Sequence, residues 1–168
     1  MERGIEIVNI IVKKMETDEE KRGKAYVHWK SWQEAYPGMV SQEYLDKLSI
    51  DTCVEMAYRY PDNVYVAKDG GTVVGFVAYG KHRGEDLENH GEIYAIYVLS
   101  EYYGTGVGEK MMQVGLDELS EYPKVAILVL KDNARAIKFY EKFGFRHDGK
   151  EIEDDILQTK EIRMILEQ

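Results

Sequence analysis

The spacing of apolar residues predicts a strand followed by a long helix at the start of the chain. β-Branched residues alternate imperfectly over Ile5 to Val12, which is typical of a strand. An acidic turn at residues 17–19 and aromatic side chains at three-residue spacing up to Ala35 indicate a helix. Pro37 and Gly38 break this pattern, so the helix is expected to end before them.

Two shorter helices and a hairpin are predicted next. Ser41 is the expected N-cap of one short helix, and Asp51 is the expected N-cap of another that runs to about Tyr60. The apolar period then becomes that of strands, over Val64 to Lys68 and over Thr72 to Tyr79. An Asp-Gly-Gly turn lies between these two segments and supplies positive φ angles at little cost, so the pair predicts a β-hairpin.

The rest of the chain alternates strands with helices. Residues 81–90 are polar and charged and are expected to form an exposed loop. Further strands are predicted over residues 92–99, 125–130, 145–153 and 162–167, and helices over residues 106–119 and 133–144. This order predicts a single α+β domain over residues 1–168, a mixed, largely antiparallel sheet of about seven strands with helices on both faces. The unit over residues 92–130 is expected to be a right-handed parallel crossover.

Composition and charge narrow the class of partner. The chain has 168 residues, of which 44% are hydrophobic, enough to form one globular core. Its net charge of -9 argues against a nucleic acid partner, because phosphate backbones are bound by basic surfaces. The same charge permits a cationic substrate, although it is equally consistent with solubility alone.

The single cysteine and the N-terminal segment predict the compartment. Because Cys53 is the only cysteine, neither an intramolecular disulfide nor a cysteine-rich metal site is expected. The apolar run near the N-terminus is too short to span a membrane, and no cleavage pattern follows a basic start. These features predict a cytoplasmic protein with no membrane partner and no metal.

Three glycines at alternate positions follow the predicted strand that begins at Glu92. Gly104, Gly106 and Gly108 lead directly into a predicted helix, so backbone N–H groups and the positive end of the helix dipole are available to an anion such as a phosphate. Their spacing is neither the G-x-G-x-x-G of a dinucleotide fold nor the G-x-x-x-x-G-K-[ST] of a nucleotide P-loop. If only the glycine spacing is considered, a tight turn that binds no ligand stays an open alternative.

Two segments resemble the signature blocks of the GNAT superfamily of N-acyltransferases. The first, Tyr103 to Gly108, is similar to the family's R/Q-x-x-G-x-G/A turn between a strand and a helix, and the second is Asn133 to Phe145 (NARAIKFYEKFGF). Both occur in the family's order and separation, and the predicted element order matches the family along nearly the whole chain. Tyr103 stands where the family has Arg or Gln, so we expect backbone N–H groups to carry the pyrophosphate contact.

The resemblance implies that the ligand is acetyl-coenzyme A, with its pyrophosphate on the glycine turn. It also implies that the pantetheine arm lies along the preceding strand, like an added strand, and that a backbone N–H near Val98 polarises the thioester carbonyl. Asn133 is expected to cap the last helix and, as a second interpretation, to contact the cofactor. The predicted cofactor-binding residues are Ile96, Tyr97, Val98, Tyr103, Gly104, Thr105, Gly106, Val107, Gly108 and Asn133.

Family analogy also suggests the catalytic residues. Tyr140 is expected to reprotonate the departing thiolate, the alternative being that it only packs in the core. Glu92 is the candidate base for the amine, directly or through water, and is expected to share a strand face with Tyr94, Ile96 and Val98. The alternative is a solvated glutamate at a strand end. His82 and His90 flank the polar loop and are weaker candidates, since loop histidines are usually polar surface.

The resemblance predicts an acetyl-coenzyme A dependent N-acetyltransferase that acts on a primary amine of a small molecule or peptide, and the amine could be cationic. Transfer is expected to be direct, because Cys53 lies outside both motifs. Trp29, Trp32 and Tyr36 either surround the acceptor or belong to the core. The alternative function is a non-catalytic acyl-coenzyme A binding, regulatory module of the same fold. A homodimer is a family-level expectation that no particular residue supports.

Overall fold

The computed structural model describes residues 9–168, which form one seven-stranded sheet with five α-helices. The sheet order is β1-β2-β3-β4-β5-β7-β6. The strands are β1 (Ile10–Lys14), β2 (Val64–Asp69), β3 (Thr72–Lys81), β4 (His90–Val98), β5 (Lys124–Leu130), β6 (Arg146–Asp154) and β7 (Thr159–Glu167). The helices are α1 (Asp18–Ala35), α2 (Gln42–Lys47), α3 (Ile50–Arg59), α4 (Val107–Glu118) and α5 (Ala134–Lys142).

The predicted mixed sheet with helices on both faces is confirmed. β4 and β5 run parallel through the α4 crossover, and every other neighbouring pair is antiparallel. Phe76 of β3 packs against α1, where the Lys24 ammonium lies 4.7 Å from its ring centroid. Its neighbour Val77 lies against Gly115 of α4. Because successive strand residues point to opposite faces, α1 and α4 cover opposite sides of the sheet.

The first strand and the helix caps differ in detail from the predictions. β1 covers residues 10–14, and residues 5–8 of the predicted strand lie outside the described residues. The expected cap at Ser41 is confirmed, because its hydroxyl accepts a hydrogen bond from the Tyr44 N–H at 3.3 Å. The expected cap at Asp51 is wrong. Ser49 caps α3, accepting from the Thr52 N–H at 3.1 Å, and Asp51 occupies the first turn instead, where the helix dipole favours a carboxylate.

The segment predicted as an exposed loop is shorter than expected, and the side chain of His82 within it is buried. β3 continues to Lys81 and β4 begins at His90, so the connection covers only residues 82–89. The side chain of His82 is only 7% exposed because it folds back onto Glu92. Six of the eight residues 82–89 are exposed, so the predicted exposed loop is confirmed for most of its length. His82 is an exception, because a polar group that bonds a buried carboxylate can itself be buried.

β4 changes its pairing on both sides near Tyr94, and this change opens the sheet. On one side, Ala95 pairs with Ala78 of β3 while Ile93 pairs with Tyr79, so Tyr94 is an extra residue in a β-bulge. On the other side, β4 pairs with β5 only from His90 to Ile93. Beyond that point the two parallel strands diverge, and the second half of β4 has no partner on this edge.

The bulge also changes which β4 side chains share a face. Ile96 pairs with Val77, and Val77 contacts the same α4 position as Ile93 does. Ile93 and Ile96 therefore lie on the α4 face, although their spacing of three would place them on opposite faces of a regular strand. The expectation that Glu92 shares a face with Ile96 and Val98 is thus wrong, because the extra residue reverses the alternation.

A second hydrophobic cluster joins the helical segment to the last hairpin. Tyr36, Val40 and Leu45 pack with Leu130 of β5, and Leu157 from the β6–β7 turn lies against them. The Ser41 N–H donates to the Leu157 carbonyl oxygen at 2.6 Å and fixes this contact. These contacts close one side of the opening between β4 and β5. Within residues 9–168, no helix is both long enough and apolar enough to cross a membrane.

Candidate active site

The glycine turn has the backbone that its sequence requires. Gly104 has φ +74° and Gly106 has φ +91°, a region that side chains with a Cβ adopt only at a cost. Gly108 serves a different purpose, since a Cβ there would lie 3.3 Å from the Phe139 ring of α5. The first two glycines therefore shape the turn, and the third lets α4 and α5 approach each other.

The start of α4 presents unpaired N–H groups to this turn. Gly106 is the N-cap and has no side chain that could accept from the helix. Within residues 9–168, the N–H groups of residues 106–109 have no hydrogen-bond partner. Thr105 turns its hydroxyl away and donates to the Tyr102 carbonyl at 2.5 Å, and the Val107 side chain is buried in the core. Val107 can therefore contribute its backbone N–H but not its side chain to an anion site, whereas the Thr105 N–H already donates to the Tyr102 carbonyl at 3.3 Å.

A guanidinium from α5 supplies the cation that Tyr103 lacks. Arg135 lies over the Tyr103 ring at 3.6 Å from its centroid, in a stacked cation–π contact. Lys138 and Lys142 line the same pocket, which also includes Gly104 and three further turn residues, and which we call the phosphate pocket. The expectation that only backbone groups face the phosphates was incomplete, because the sequence did not show that the second motif places Arg135 beside the first.

A groove leads from the phosphate pocket into the protein between α1, β4 and α5. This cofactor groove shares Val98, Tyr103, Gly108, Arg135 and Phe139 with the phosphate pocket, so the two cavities adjoin. Predicted cofactor-binding residues Ile96, Tyr97, Val98 and Asn133 line it.

Ser31 of α1, which the sequence analysis did not single out, also lines the groove. It is 2% exposed, and its hydroxyl has no hydrogen-bond partner within the described residues. A buried hydroxyl without a partner costs free energy, so the groove suits a ligand with polar atoms at this depth.

The open edge of β4 offers backbone groups to a ligand in this groove. The Leu99 N–H donates to the Val74 carbonyl of β3 at 3.0 Å. Since N–H groups alternate sides along a strand, those of Ile96 and Val98 point away from β3, toward the side where β5 has diverged. An amide-bearing arm can therefore add to this edge like a strand, which fits the pantetheine of coenzyme A.

A third cavity continues from the groove on the other side of Tyr140. It lies between the diverging strands, with Trp32 and Arg83 at its sides, and we call it the acceptor cavity. The groove and the acceptor cavity share Tyr36, Ile96, Tyr97, Asn133 and Tyr140. The three cavities thus adjoin in a row, which we call the path, from the phosphate pocket to the acceptor cavity.

Tyr140 lies at the junction of the groove and the acceptor cavity. Its ring is buried against Phe139 and Phe145, and its hydroxyl has no hydrogen-bond partner within residues 9–168. Burial raises the pKa of Tyr140, as does nearby Tyr97, whereas Arg135 lowers it. The hydroxyl therefore carries its proton at neutral pH. The Tyr36 hydroxyl donates to that of Tyr97 at 3.2 Å beside it.

Asn133 is both a helix cap and a cavity-lining residue. Its side-chain oxygen accepts from the Ala136 N–H at 3.2 Å, so the predicted cap is confirmed. The same residue lines both the groove and the acceptor cavity. Capping uses one lone pair of the amide oxygen and leaves the amide NH₂ available as a donor.

Glu92 is buried and is already bonded to cationic groups. One carboxylate oxygen accepts from His82 Nδ1 at 2.9 Å and from the Arg83 N–H at 3.2 Å, and the other accepts from Arg83 Nη2 at 2.7 Å. Glu92 does not line any of the three cavities. Arg83 does line the acceptor cavity and lies over the Tyr94 ring at 4.2 Å from its centroid. Arg83 therefore lies between Glu92 and the acceptor cavity, and Glu92 itself does not line the path.

Of the remaining predicted residues, some line the acceptor cavity and others make structural contacts elsewhere. Trp32 and Tyr36 line the acceptor cavity, whereas Trp29 donates its indole N–H to the Leu48 carbonyl at 3.1 Å and joins α1 to the following helices. His90 contacts the Glu88 carbonyl through Nδ1 at 2.6 Å, outside the path. No three His, Cys, Asp or Glu side chains within residues 9–168 are grouped as metal ligands.

Comparisons with known proteins agree with this fold. Residues 26–145 match the model of the Acetyltransferase (GNAT) family. A Bacillus subtilis protein named as an uncharacterized N-acetyltransferase, YuaI, is 31% identical over 124 residues, which cover 71% of each chain. The Bacillus subtilis spermine/spermidine N(1)-acetyltransferase is 28% identical over 110 residues, covering 62% of this chain and 70% of that protein. The PaiA N-acetyltransferase from Thermoplasma acidophilum, solved in complex with coenzyme A, has the same fold, with a TM-score of 0.72 at 20% identity over 95% of this chain and 99% of that chain.

Proposed function

The chain belongs to the GNAT acetyltransferase family, and from this premise we propose that it transfers an acetyl group directly from acetyl-coenzyme A to a primary amine of a small molecule or peptide. Family membership makes the chain an acetyl-coenzyme A dependent acyltransferase. The observation that carries the proposal is the row of three adjoining cavities, with the Tyr140 hydroxyl, which has no partner within residues 9–168, at the junction of the last two.

The residues along the path fit the donor part by part. The unpaired N–H groups of residues 106–109 and the Arg135 guanidinium match a pyrophosphate. The free edge of β4 and the unpartnered Ser31 hydroxyl match the amides and hydroxyl of the pantetheine arm. The donor itself supplies a thioester, whose carbonyl carbon is the electrophile.

We propose that Val98 and Tyr140 assist the transfer. The Val98 N–H on the open edge would donate to the thioester oxygen as negative charge develops there. The Tyr140 hydroxyl would donate a proton to the departing sulfur. Its raised pKa keeps the hydroxyl protonated at neutral pH, so it can donate a hydrogen bond to the sulfur as negative charge develops there.

Glu92 fits a positioning role better than that of a direct base. Its carboxylate accepts three hydrogen bonds, two of them from Arg83, so it has little capacity left for an amine proton. We propose that Glu92 holds Arg83 over Tyr94 at the acceptor cavity and thereby shapes the acceptor site.

One experiment separates this function from the alternative of a non-catalytic acyl-coenzyme A binding module. Calorimetry should show acetyl-coenzyme A binding, and free thiol should appear when a panel of primary amines is added. Binding without thiol release from any amine would favour the non-catalytic module, whereas no binding at millimolar acetyl-coenzyme A would refute both. The amine panel should include polyamines, because one relative is named as a spermine/spermidine acetyltransferase. The expected homodimer stays a prediction that light scattering would test.

A further inference from the structure

Glu161 of β7 is a carboxylate that lines the acceptor cavity and has no partner among residues 9–168. It lies opposite Leu130 in the β5–β7 ladder and lines the cavity together with Tyr36, Tyr97 and Tyr140. Its side chain is half-buried, and within residues 9–168 it makes no hydrogen bond and no ion pair. A carboxylate that is partly removed from water without a compensating partner is costly.

By contrast, the fully buried acidic side chains within residues 9–168 all have basic partners. Glu20 is bound by Lys13 and Lys68, and Glu92 is bound by His82 and Arg83. Burial and the neighbouring carboxylates of Asp154 and Glu92 raise the pKa of Glu161, and Arg83 lowers it.

Arg83 does not neutralise Glu161. Its guanidinium already donates to Glu92 at 2.7 Å, and that pair is electrically neutral. The charge remaining at the cavity is therefore the negative charge of Glu161. Such a cavity attracts a cation and disfavours an acidic acceptor.

The walls of the cavity suit a cation on an aliphatic chain. The rings of Trp32 and Tyr36 meet edge to face with centroids 4.8 Å apart, and Tyr97 lies 6.3 Å from Tyr36. Leu130 and Leu157 provide apolar surface beside them. Aromatic faces attract ammonium groups, and apolar walls accommodate methylene groups.

We propose that Glu161 binds the ammonium group of the acceptor amine and accepts its proton, so that the substrate is a primary aliphatic amine that is cationic at neutral pH. This inference rests on the proposed acetyl transfer. The ammonium first gives one proton to the Glu161 carboxylate, which later releases it to water. The free nitrogen pair then forms the bond to the acetyl carbon as the carbon–sulfur bond breaks. The second nitrogen proton is lost to solvent, and the sulfur takes its proton from Tyr140, which regains one from solvent.

Amine binding tests the site without requiring turnover. The titrant is 1,4-diaminobutane, added to protein saturated with coenzyme A in a calorimeter, with 1,4-butanediol as the neutral analogue of the same length. Glu161→Gln keeps the size and removes the charge. Asp155→Asn is the matched control, because Asp155 lies exposed in the β6–β7 turn of the same hairpin and does not line the acceptor cavity.

The wild type and Asp155→Asn should bind the diamine and not the diol, and Glu161→Gln should bind the diamine about ten- to a hundredfold more weakly. Thermal unfolding should show that Glu161→Gln is folded. Equal diamine affinity in both variants, or no diamine binding by the wild type, would overturn the assignment. Diamine binding that depends on Glu161 without thiol release from acetyl-coenzyme A would instead support the site and refute acetyl transfer to this amine.

Discussion

Replacing Arg135 should weaken acetyl-coenzyme A binding through the phosphates alone. The guanidinium stacks on Tyr103 at 3.6 Å from the ring centroid and lines both the phosphate pocket and the cofactor groove. Arg135→Gln removes this charge from an exposed helix position without creating a cavity. Arg135→Lys keeps the charge but loses the flat group that stacks on the ring, so its effect should be intermediate.

The expected magnitude follows from the exposure of the site. A hydrogen bond to a charged group contributes about 1.5 to 3 kcal/mol, and partial exposure to water favours the lower end. We therefore expect Arg135→Gln to raise the Kd of acetyl-coenzyme A about tenfold at low salt. The difference from wild type should shrink as ionic strength rises, because an exposed charge is screened by salt.

Calorimetry with matched ligands and variants checks this prediction. Lys150→Gln is the control variant, because Lys150 is an exposed cation on β6, outside all three cavities of the path. S-Acetylpantetheine is the control ligand, because it lacks the pyrophosphate and the nucleotide. Arg135→Gln should leave its affinity unchanged. An unchanged Kd for acetyl-coenzyme A at low salt, or an equal loss with the truncated donor, would refute the assignment of Arg135 to the phosphates.

Three further variants test the groove, the junction and the fold. Tyr140→Phe should lower kcat about a hundredfold and leave the Kd of acetyl-coenzyme A unchanged, since only the proton donor is lost; an unchanged kcat would remove that role. Ser31→Ala should weaken acetyl-coenzyme A binding several-fold yet stabilise the free protein by about 1 kcal/mol in thermal melts, because it removes an unpartnered buried hydroxyl. Burial opposes ionisation of Glu20, but hydrogen bonds from Lys13, two backbone N–H groups and Lys68 outweigh it and lower its pKa to about 2. The stabilisation from ionised Glu20, about 3 kcal/mol, is thus complete above pH 4.5 and is lost as pH falls toward 2. Glu20→Gln should therefore be less stable at pH 7, and its free energy of unfolding, measured by denaturant titration, should fall less than that of the wild type between pH 4.5 and pH 2.

The features predicted correctly from the sequence are those that depend on neighbours along the chain. The glycine turn, the Asn133 cap and the hairpin after Asn63 are set by local φ angles and hydrogen bonds, which residue type reveals. Asp51 was misassigned because Ser49, two residues earlier, is an equally good cap and the pattern does not choose between them. The type of each helix or strand was therefore easier to predict from the sequence than the residues at which it begins and ends.

The features that the sequence did not reveal depend on contacts across the fold. Arg135 lies 32 positions after Tyr103, and only the packing of α5 on α4 through Gly108 brings the two together. Glu161 looked like an ordinary strand residue, because nothing nearby in the chain shows that β4 and β5 diverge and leave a cavity that Glu161 lines. Glu92 looked free for catalysis because its cationic partners lie in a loop that polarity alone assigned to solvent.

Both the acceptor cavity and the open edge of β4, which is available to the pantetheine arm, originate at one irregularity in the sheet. At Tyr94 the bulge reverses the alternation of β4, and from the same residue onward β4 loses its partner β5. Without the divergence, the N–H groups of Ile96 and Val98 would be paired and no arm could add to the edge. Without the bulge, Tyr97 would turn away from Tyr36 and the acceptor cavity would lose one aromatic wall. An extra residue that would only weaken an ordinary sheet here creates both halves of the site, so restoring regular pairing near Tyr94 should abolish donor and acceptor binding together.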